Sequence, residues 1–159
     1  MPELRRSRPS DLACVASWIG SAEECRLWCG ARVAYPIDLA ALPAAIEYGA
    51  CESWSAAEPE GLVAFGQLVP KQGGRLHLAR LISAPSRRGC NFGRLITSHL
   101  LEVARTQGAS AVSLNVFAEN QPAVTLYSSL GFAPCDRPAS ESASESLYMQ
   151  YDGDSGKSN

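Results

Sequence analysis

Several features that identify other classes of protein are missing from this sequence. No apolar run approaches the ~20 residues of a membrane span, and the opening residues Met1–Arg6 lack the apolar core of a signal peptide. The formal net charge is only −2, so the charge balance does not favour a nucleic acid or an anionic membrane as a partner. The sequence therefore predicts a cytoplasmic protein that binds neither.

Metal ligands are scarce as well. Cys25 and Cys29 are four residues apart and would share one side of a helix, but no second ligand pair accompanies them. The two histidines, His77 and His99, lie far from them along the chain. We therefore expect no metal site. We expect reduced thiols, because the cysteine spacing does not resemble a secreted disulfide framework. The six cysteines are Cys14, Cys25, Cys29, Cys51, Cys90 and Cys135.

What the chain does contain is typical of one globular domain. Hydrophobic residues make up 46% of its 159 residues and charged residues 19%, which suits a single hydrophobic core. We expect one domain over residues 1–151. We expect a disordered tail over 152–159, because that segment is polar and its ordering would bury little surface. The sequence leaves the choice between monomer and homodimer open.

Strand-like and helical patterns alternate along the chain. The apolar spacing predicts strands at 4–8, 52–57, 62–69, 75–83, 112–116, 132–136 and 147–151. Capping residues and helical periodicity predict helices at 12–19, 22–29, 39–48, 95–107 and 121–130. Such alternation is typical of an α/β fold with a mixed sheet.

A loop rich in arginine and small residues joins the predicted strand 75–83 to the predicted helix 95–107. From Arg87 to Arg94 it reads Arg-Arg-Gly-Cys-Asn-Phe-Gly-Arg. A turn of this kind points several backbone N–H groups into one concavity. The helix N-terminus adds partial positive charge there, and the arginines add full charges. The combination predicts a phosphate-binding site.

Two familiar phosphate loops do not fit these residues. A Walker A loop requires Lys and then Ser or Thr after its second glycine, whereas Gly93 is followed by Arg94 and Leu95. The spacing of Gly89 and Gly93 is not that of the dinucleotide fingerprint Gly-x-Gly-x-x-Gly. The pattern Arg-x-x-(Gly)-x-Gly fits instead, with Asn91 where glycine is usual. Asparagine is the residue other than glycine that best tolerates a left-handed backbone.

A second motif occupies Val112–Phe132. It begins as an alternating strand, and a helix is predicted after Asn120, a good N-cap, with Pro122 in its first turn. Gly131 ends the helix. The segment reads Asn-x-x-Ala-x-x-Leu-Tyr-x-x-x-Gly-Phe from residue 120 to 132. One helical face carries Ala123, Leu126, Tyr127 and Leu130.

With these two motifs the sequence resembles the GNAT superfamily of acyl-CoA-dependent N-acetyltransferases, over residues 60 to 135. The loop is similar to the acyl-CoA loop of that family, and the second motif is similar to its Asn-to-Gly-Phe segment. The resemblance implies a mixed, mostly antiparallel central sheet that is flanked by helices and splayed at a cleft for the acyl-CoA arm. It also implies acetyl-CoA as the cosubstrate.

The same resemblance assigns residues to the coenzyme. Splaying leaves unpaired backbone groups on the strand before the loop, with which the pantetheine amides can pair. Asn120 is expected near the coenzyme, although a helix cap alone would explain it. The coenzyme-binding candidates are Leu81, Ile82 and Ser83 on the strand, Arg88, Gly89, Cys90, Asn91, Phe92, Gly93 and Arg94 in the loop, and Asn120.

Acetyl transfer to an amine requires an acid for the leaving thiolate and a group that takes the proton of the amine. The resemblance places the hydroxyl of Tyr127 near the coenzyme sulfur, where it would be the acid. A tyrosine packed in the core is the alternative. His77 is the candidate base, since even spacing puts it on the same side of its strand as Ser83. A packed His77, with Glu47, Glu52 or water as the base, remains open.

The predicted function is transfer of an acetyl group from acetyl-CoA to a primary amine, by direct attack in a ternary complex. The acceptor is a small metabolite or a peptide N-terminus. The resemblance places acceptor specificity between residues 18 and 48, where aromatic residues and one arginine would suit a small acceptor with a carboxylate. These residues are Trp18, Trp28, Arg32 and Tyr35.

A non-catalytic acyl-CoA-binding module is the alternative function. Asn91 in place of glycine favours it, and the presence of Tyr127 in the second motif opposes it. Release of coenzyme A from acetyl-CoA in the presence of amines distinguishes the two functions.

Overall fold

The computed structural model describes residues 1–141 and 144–153, and seven strands in this part of the chain form one sheet. The strands are β1 (Glu3–Arg6), β2 (Glu52–Glu58), β3 (Gly61–Pro70), β4 (Leu76–Ser83), β5 (Val112–Val116), β6 (Phe132–Pro134) and β7 (Leu147–Tyr151). Their order in the sheet is β1-β2-β3-β4-β5-β7-β6. Only the β4–β5 pair is parallel among these neighbours, so the expected mixed, mostly antiparallel sheet is confirmed.

Five α-helices connect and cover the strands of the described residues. They are α1 (Asp11–Ser17), α2 (Ala22–Cys29), α3 (Leu42–Ala45), α4 (Phe92–Thr106) and α5 (Gln121–Ser129). None of them combines the length and the apolar character that a membrane crossing needs. Of the tail that was expected to be disordered, residues 154–159 lie outside the described part of the chain.

Two helices differ from the predicted bounds for local backbone reasons. α4 begins at Phe92, before the predicted Leu95, because Asn91 adopts a left-handed conformation that starts the helix. The predicted helix 39–48 is reduced to a single turn. Glu47 interrupts it, with a φ of 53° that no residue inside a right-handed helix adopts.

The two faces of the sheet carry separate apolar clusters. α4 and α5 cover one face, where Ile96, Leu100 and Leu114 are almost fully buried. The helices α1 to α3 cover the other face, around Val15 and Ile46. A helix layer on each side of one sheet buries both of its faces.

The sheet opens between β4 and β5. These strands pair only through Leu76–Leu78 with Val112–Leu114, and the β4 residues beyond Leu78 have no partner on β5. The splayed sheet predicted from the family resemblance is therefore confirmed.

A β-bulge in β4 changes which side chains share a face. Arg80 and Leu81 together lie opposite the single residue Gly66 of β3, and Arg80 has a φ of 51°. Gly66 lies close to two leucine side chains, because a Cβ there would be 2.7 Å from Leu100 Cδ1 and from Leu81 Cδ2, and both methyl groups would have to move. The extra residue breaks the period of two, so the prediction that His77 shares one side with Leu81 and Ser83 is wrong. Leu81 packs with the α4 cluster instead.

Candidate active site

A cavity of about 660 Å³ lies where the strands separate, and both sequence motifs line it. α2 forms one wall, and the loop before α4 together with α5 forms the other. The predicted residues that line this first cavity are Leu81, Ile82, Ser83, Arg88, Gly89, Asn91, Phe92, Gly93, Arg94, Asn120 and Tyr127. Cys90 and His77 do not line it.

The loop has the backbone geometry of an anion site. Asn91 adopts φ 66° and ψ 21°, which confirms the predicted left-handed conformation, and Gly89 has a φ of 87°. The N–H groups of Phe92, Gly93 and Arg94 belong to the first turn of α4 and have no partner inside the helix. They lie at the wall of the first cavity, so a ligand with phosphate oxygens can accept from them.

The three arginines around the loop differ in their partners. Arg87 is ion-paired with Glu58 at 2.5 Å and lies over the ring of Phe92. Arg94 donates to the Ser129 hydroxyl at 2.6 Å. Arg88 is exposed, and neither it nor Arg94 has a carboxylate partner among the residues of 1–141 and 144–153. Arg88 and Arg94 are therefore the side-chain charges available to an anion.

Tyr127 combines a packed ring with a hydroxyl that has no protein partner. The residue is 8% exposed, and its ring meets that of Phe132 edge to face at 6.3 Å. Within the described residues its hydroxyl makes no hydrogen bond, and the residue lines the first cavity. Burial raises the pKa of Tyr127, so the phenol stays protonated at neutral pH. The ring is therefore part of the core, while the hydroxyl has no partner among the described residues, and its role as the acid stays a prediction.

Two predicted coenzyme residues have unexpected surroundings. Asn120 precedes α5, but its side chain makes no cap hydrogen bond, so the predicted capping role is wrong. The side chain is left available to the cavity that Asn120 lines. Cys90 is exposed, and its N–H donates to the Arg87 carbonyl at 3.2 Å. The N–H of Cys90 is therefore already occupied within the loop.

A second cavity of about 290 Å³ lies beside the first, and Leu27 and Trp28 of α2 line both. The indole N–H of Trp28 donates to the Arg80 carbonyl at 3.0 Å, which fixes α2 against the bulge. The second cavity is bounded by the ends of β4 and β5 where they diverge. A molecule in one cavity can thus lie next to a molecule in the other, at the gap in the sheet.

His77 lies in the second cavity, packed rather than free. It is 5% exposed, and its Nδ1 is 2.7 Å from the Ser113 hydroxyl. Burial first, and then the positive charges nearby, lower the pKa of His77 to about 3. A general base works best when its pKa is near the operating pH, so this environment opposes proton transfer by His77. Its role as base stays a prediction.

The other candidates from the sequence fall in different places. Glu47 lines the second cavity, whereas Glu52 lines neither and pairs with Arg6 at 3.3 Å. Of the residues assigned to the acceptor wall, Trp28 and Arg32 line the second cavity. Trp18 lines the first cavity alone, and the exposed Tyr35 lies in neither.

Among the residues that sequence reasoning did not assign to the site, Lys71, Arg80 and Asn115 line the second cavity. Arg80 carried a signal in the sequence, because it is a charged residue inside an apolar strand. The backbone carries another signal. The three non-glycine residues with positive φ in the described part of the chain are Glu47, Arg80 and Asn91, and each lines one of the two cavities. Such conformations cluster at functional sites.

Comparison with known proteins agrees with this geometry. Streptothricin acetyltransferase of Streptomyces lavendulae is 38% identical over 61 residues, a match that spans 38% of this chain and 32% of that protein. The chain therefore spans about a third of the length of this curated relative.

Two solved structures share the fold over nearly their whole length. An acetyltransferase of the GNAT family from Staphylococcus aureus superposes with a TM-score of 0.75 at 15% identity, over 96% of this chain and 99% of that one. Spermidine N-acetyltransferase from Vibrio cholerae, solved in complex with CoA and spermine, gives 0.71 at 19% identity over 94% and 92%. Residues 20–132, which include both motifs and the splayed strands, match the acetyltransferase (GNAT) family. The chain belongs to that family.

Proposed function

We propose that this protein transfers an acetyl group from acetyl-CoA to the primary amine of a small acceptor. One observation carries the proposal: a single cavity at the opening of the sheet brings together three different elements. These are the N–H groups at the start of α4, the end of β4 without a partner on β5, and the hydroxyl of Tyr127. Each of them matches a different part of an acyl-CoA molecule.

The residues present fit the coenzyme. The first turn of α4, with Arg88 and Arg94, would hold the pyrophosphate. The backbone of Leu81–Ser83 faces the cavity and would pair with the pantetheine amides. Acetyl-CoA, when bound, supplies an acetyl group activated as a thioester.

Tyr127 would act as the acid in this reaction. Its hydroxyl is protonated at neutral pH and has no acceptor within the described residues, so it is free to donate to a sulfur that gains negative charge. The proton and the hydrogen bond are needed only as the carbon–sulfur bond breaks. This would stabilise the transition state more than the ground state.

The acceptor amine would enter from the second cavity. Glu47 is the only carboxylate that lines it within 1–141 and 144–153, so Glu47 or a water beside it is a better-placed proton acceptor than His77. The acetyltransferases for streptothricin and spermidine act on amines, which supports an amine acceptor here.

The non-catalytic module loses its main support in this geometry. Asn91 adopts the left-handed conformation that the loop needs, so the asparagine does not disable the anion site.

Two measurements test the proposal. Acetyl-CoA should raise the melting temperature by binding the folded state, and pantetheine without phosphates should raise it much less. Coenzyme A release, followed with a thiol reagent, should then depend on an added primary amine. Equal stabilisation by both ligands would contradict the anion site. Strong acetyl-CoA binding with no release across a broad panel of amines would favour the module.

A further inference from the structure

Arg80 is a buried cation whose partners are all neutral. The residue is 9% exposed. Its guanidinium donates to the side-chain oxygen of Gln67, to the Ile46 carbonyl at 3.3 Å and toward the Cys51 sulfur at 3.9 Å. Its Nη1 makes no hydrogen bond within the part of the chain that the structure describes. Arginine stays charged in proteins, and a buried charge is normally paired with an opposite one.

The charges around the second cavity do not supply that pair. Glu47 is the only acidic residue that lines the cavity within the described ranges, and its Oε1 is 3.0 Å from Nη1 of Arg32. Lys71 also lines the cavity and has no carboxylate partner in those ranges. Glu47 attracts Arg80 as well as Arg32, but this single carboxylate faces three cations in one small space, so the cavity keeps an excess of positive charge.

His77, which lines the second cavity, is also surrounded by positive charges. After burial, the groups that lower its pKa are Lys71, Arg80, Arg75 and Arg137 in turn, and all four are cations. The backbone is also strained at this point, since Arg80 is held in the left-handed region at the bulge, a conformation that is unfavourable for a non-glycine residue. The fold therefore holds a cation in this place despite burial, repulsion and backbone strain.

We propose that the second cavity binds the carboxylate of the acceptor, so that the substrates are small amines that also carry a carboxylate, of the size of an amino acid. Arg80 contacts the carboxylate through its free Nη1, and Lys71 adds a second charge. The volume of about 290 Å³ suits a compact ligand of this kind. The inference rests on the proposed function and specifies its acceptor.

The residue that recognises the carboxylate is then Arg80, and not the Arg32 that the sequence suggested. The sequence pointed to Arg32 for a carboxylate-bearing acceptor, but Arg32 is already paired with Glu47. The proposed carboxylate site also separates this protein from the spermidine acetyltransferase that shares its fold. A polyamine carries only positive charges, and it would be repelled by a cavity that contains Lys71 and Arg80.

The test compares amino acids with the amines that result from removing their carboxylate. Lysine is paired with cadaverine, phenylalanine with phenethylamine, and leucine with isoamylamine. Binding is measured by thermal shift and calorimetry on protein saturated with coenzyme A. At least one acid should bind the wild type roughly 10- to 100-fold more tightly than its matched amine, the usual value of a charge-assisted hydrogen bond.

Variants identify the side chain responsible. Arg80→Met should abolish the preference for the acid. It also removes the donor to the buried side chain of Gln67 and to the Ile46 carbonyl, so the melting temperature of the free protein should fall. Lys71→Met should reduce the preference several-fold. Arg75→Met is the matched control, since Arg75 lies near His77 but does not line the cavity, and it should keep the preference. If Arg80→Met does not fold, the preference for the acid over its matched amine is measured in Lys71→Met and Arg80→Lys instead.

Equal binding of acids and amines, no binding of any acid, or a preference that survives in the Arg80 and Lys71 variants would overturn the inference. Coenzyme A release with the same compounds keeps the two proposals apart. Acids that bind through Arg80 without any release would contradict the acetyl transfer alone. Release with the decarboxylated amines as fast as with the acids would contradict the carboxylate site alone.

Discussion

Replacement of Tyr127 by phenylalanine separates chemistry from packing, because the structure divides the two roles within one side chain. The ring lies in the core against Phe132, at 6.3 Å and 67°. The hydroxyl has no hydrogen-bond partner in the described residues. Tyr127→Phe therefore removes one oxygen and breaks no protein hydrogen bond, so the free energy of unfolding should change by less than about 1 kcal/mol. For a chain of this size, the melting temperature should move by no more than about 4 °C.

Turnover should respond far more strongly. An acid positioned at the leaving group contributes roughly 10²- to 10⁴-fold, which corresponds to about 2.7–5.4 kcal/mol in activation free energy. kcat and kcat/KM should fall together, because the interaction exists only as the carbon–sulfur bond breaks. The affinity for acetyl-CoA, measured by calorimetry, should stay near that of the wild type.

Tyr151 offers a matched control for this experiment. Its ring also meets Phe132 edge to face, at 5.7 Å and 65°, but it does not line the first cavity. Tyr151→Phe should leave kcat unchanged. A Tyr127→Phe enzyme with normal kcat and a lower melting temperature would refute the catalytic assignment and leave Tyr127 as a core residue. Equal losses of kcat in both variants would show that the effect is not specific to the hydroxyl that faces the first cavity, and would also refute the catalytic assignment.

Three further predictions concern two variants of the loop and one of the buried histidine. Asn91→Gly should bind acetyl-CoA normally, since φ 66° suits glycine and the side chain makes no cap hydrogen bond. Gly93→Val should fold, because a Cβ there would be 3.6 Å from Leu126, which is an ordinary contact. It should lose most of its affinity for acetyl-CoA, measured by calorimetry, because the new side chain would occupy the wall of the first cavity. Burial lowers the pKa of His77 in the folded state to about 3, below its usual 6.5. Between these two pH values the unfolded chain binds more protons than the folded one, so the free energy of unfolding decreases as the pH falls. His77→Asn keeps a side chain that can hydrogen-bond with Ser113. From pH 7 to pH 5, its free energy of unfolding, measured with urea, should fall by about 2 kcal/mol less than that of the wild type. An unchanged pH dependence would show that His77 is not held neutral.

Much of the architecture could be read from local patterns. The bounds of α2, with Ser21 as its N-cap, follow from one hydroxyl that accepts from the Glu24 N–H at 3.1 Å. The left-handed Asn91 was predicted from the tolerance of asparagine for that conformation. Such features depend on a few adjacent residues, and a sequence displays them directly. The mostly antiparallel character of the sheet and its opening beside the strand before the loop came instead from the family resemblance.

The features that local patterns missed depend on contacts between distant segments. The bulge at Arg80 exists because Gly66, on another strand, leaves room for Leu81 and Leu100. No pattern within β4 shows that pairing. The expected alternation therefore placed His77 on the same side of the strand as Leu81 and Ser83, which is wrong. The third helix also ends earlier than its helix propensity predicts, at Ala45, and Glu47 beyond it has a φ of 53°.

The two cavities use different chemistry for recognition, and this explains why the family is visible in the sequence while the acceptor is not. In the proposed coenzyme site the first cavity would recognise its ligand through backbone N–H groups, which any sequence that adopts the turn presents in the same way. The motif that encodes the turn is therefore a reliable guide to the coenzyme. In the proposed acceptor site the second cavity would recognise its ligand through the side chains of Arg80 and Lys71, which come from a bulge and from the end of a strand. Their balance of charge, and with it the choice between an acidic and a polycationic amine, exists only once the long-range pairing of β3 and β4 has brought Arg80 to face the cavity.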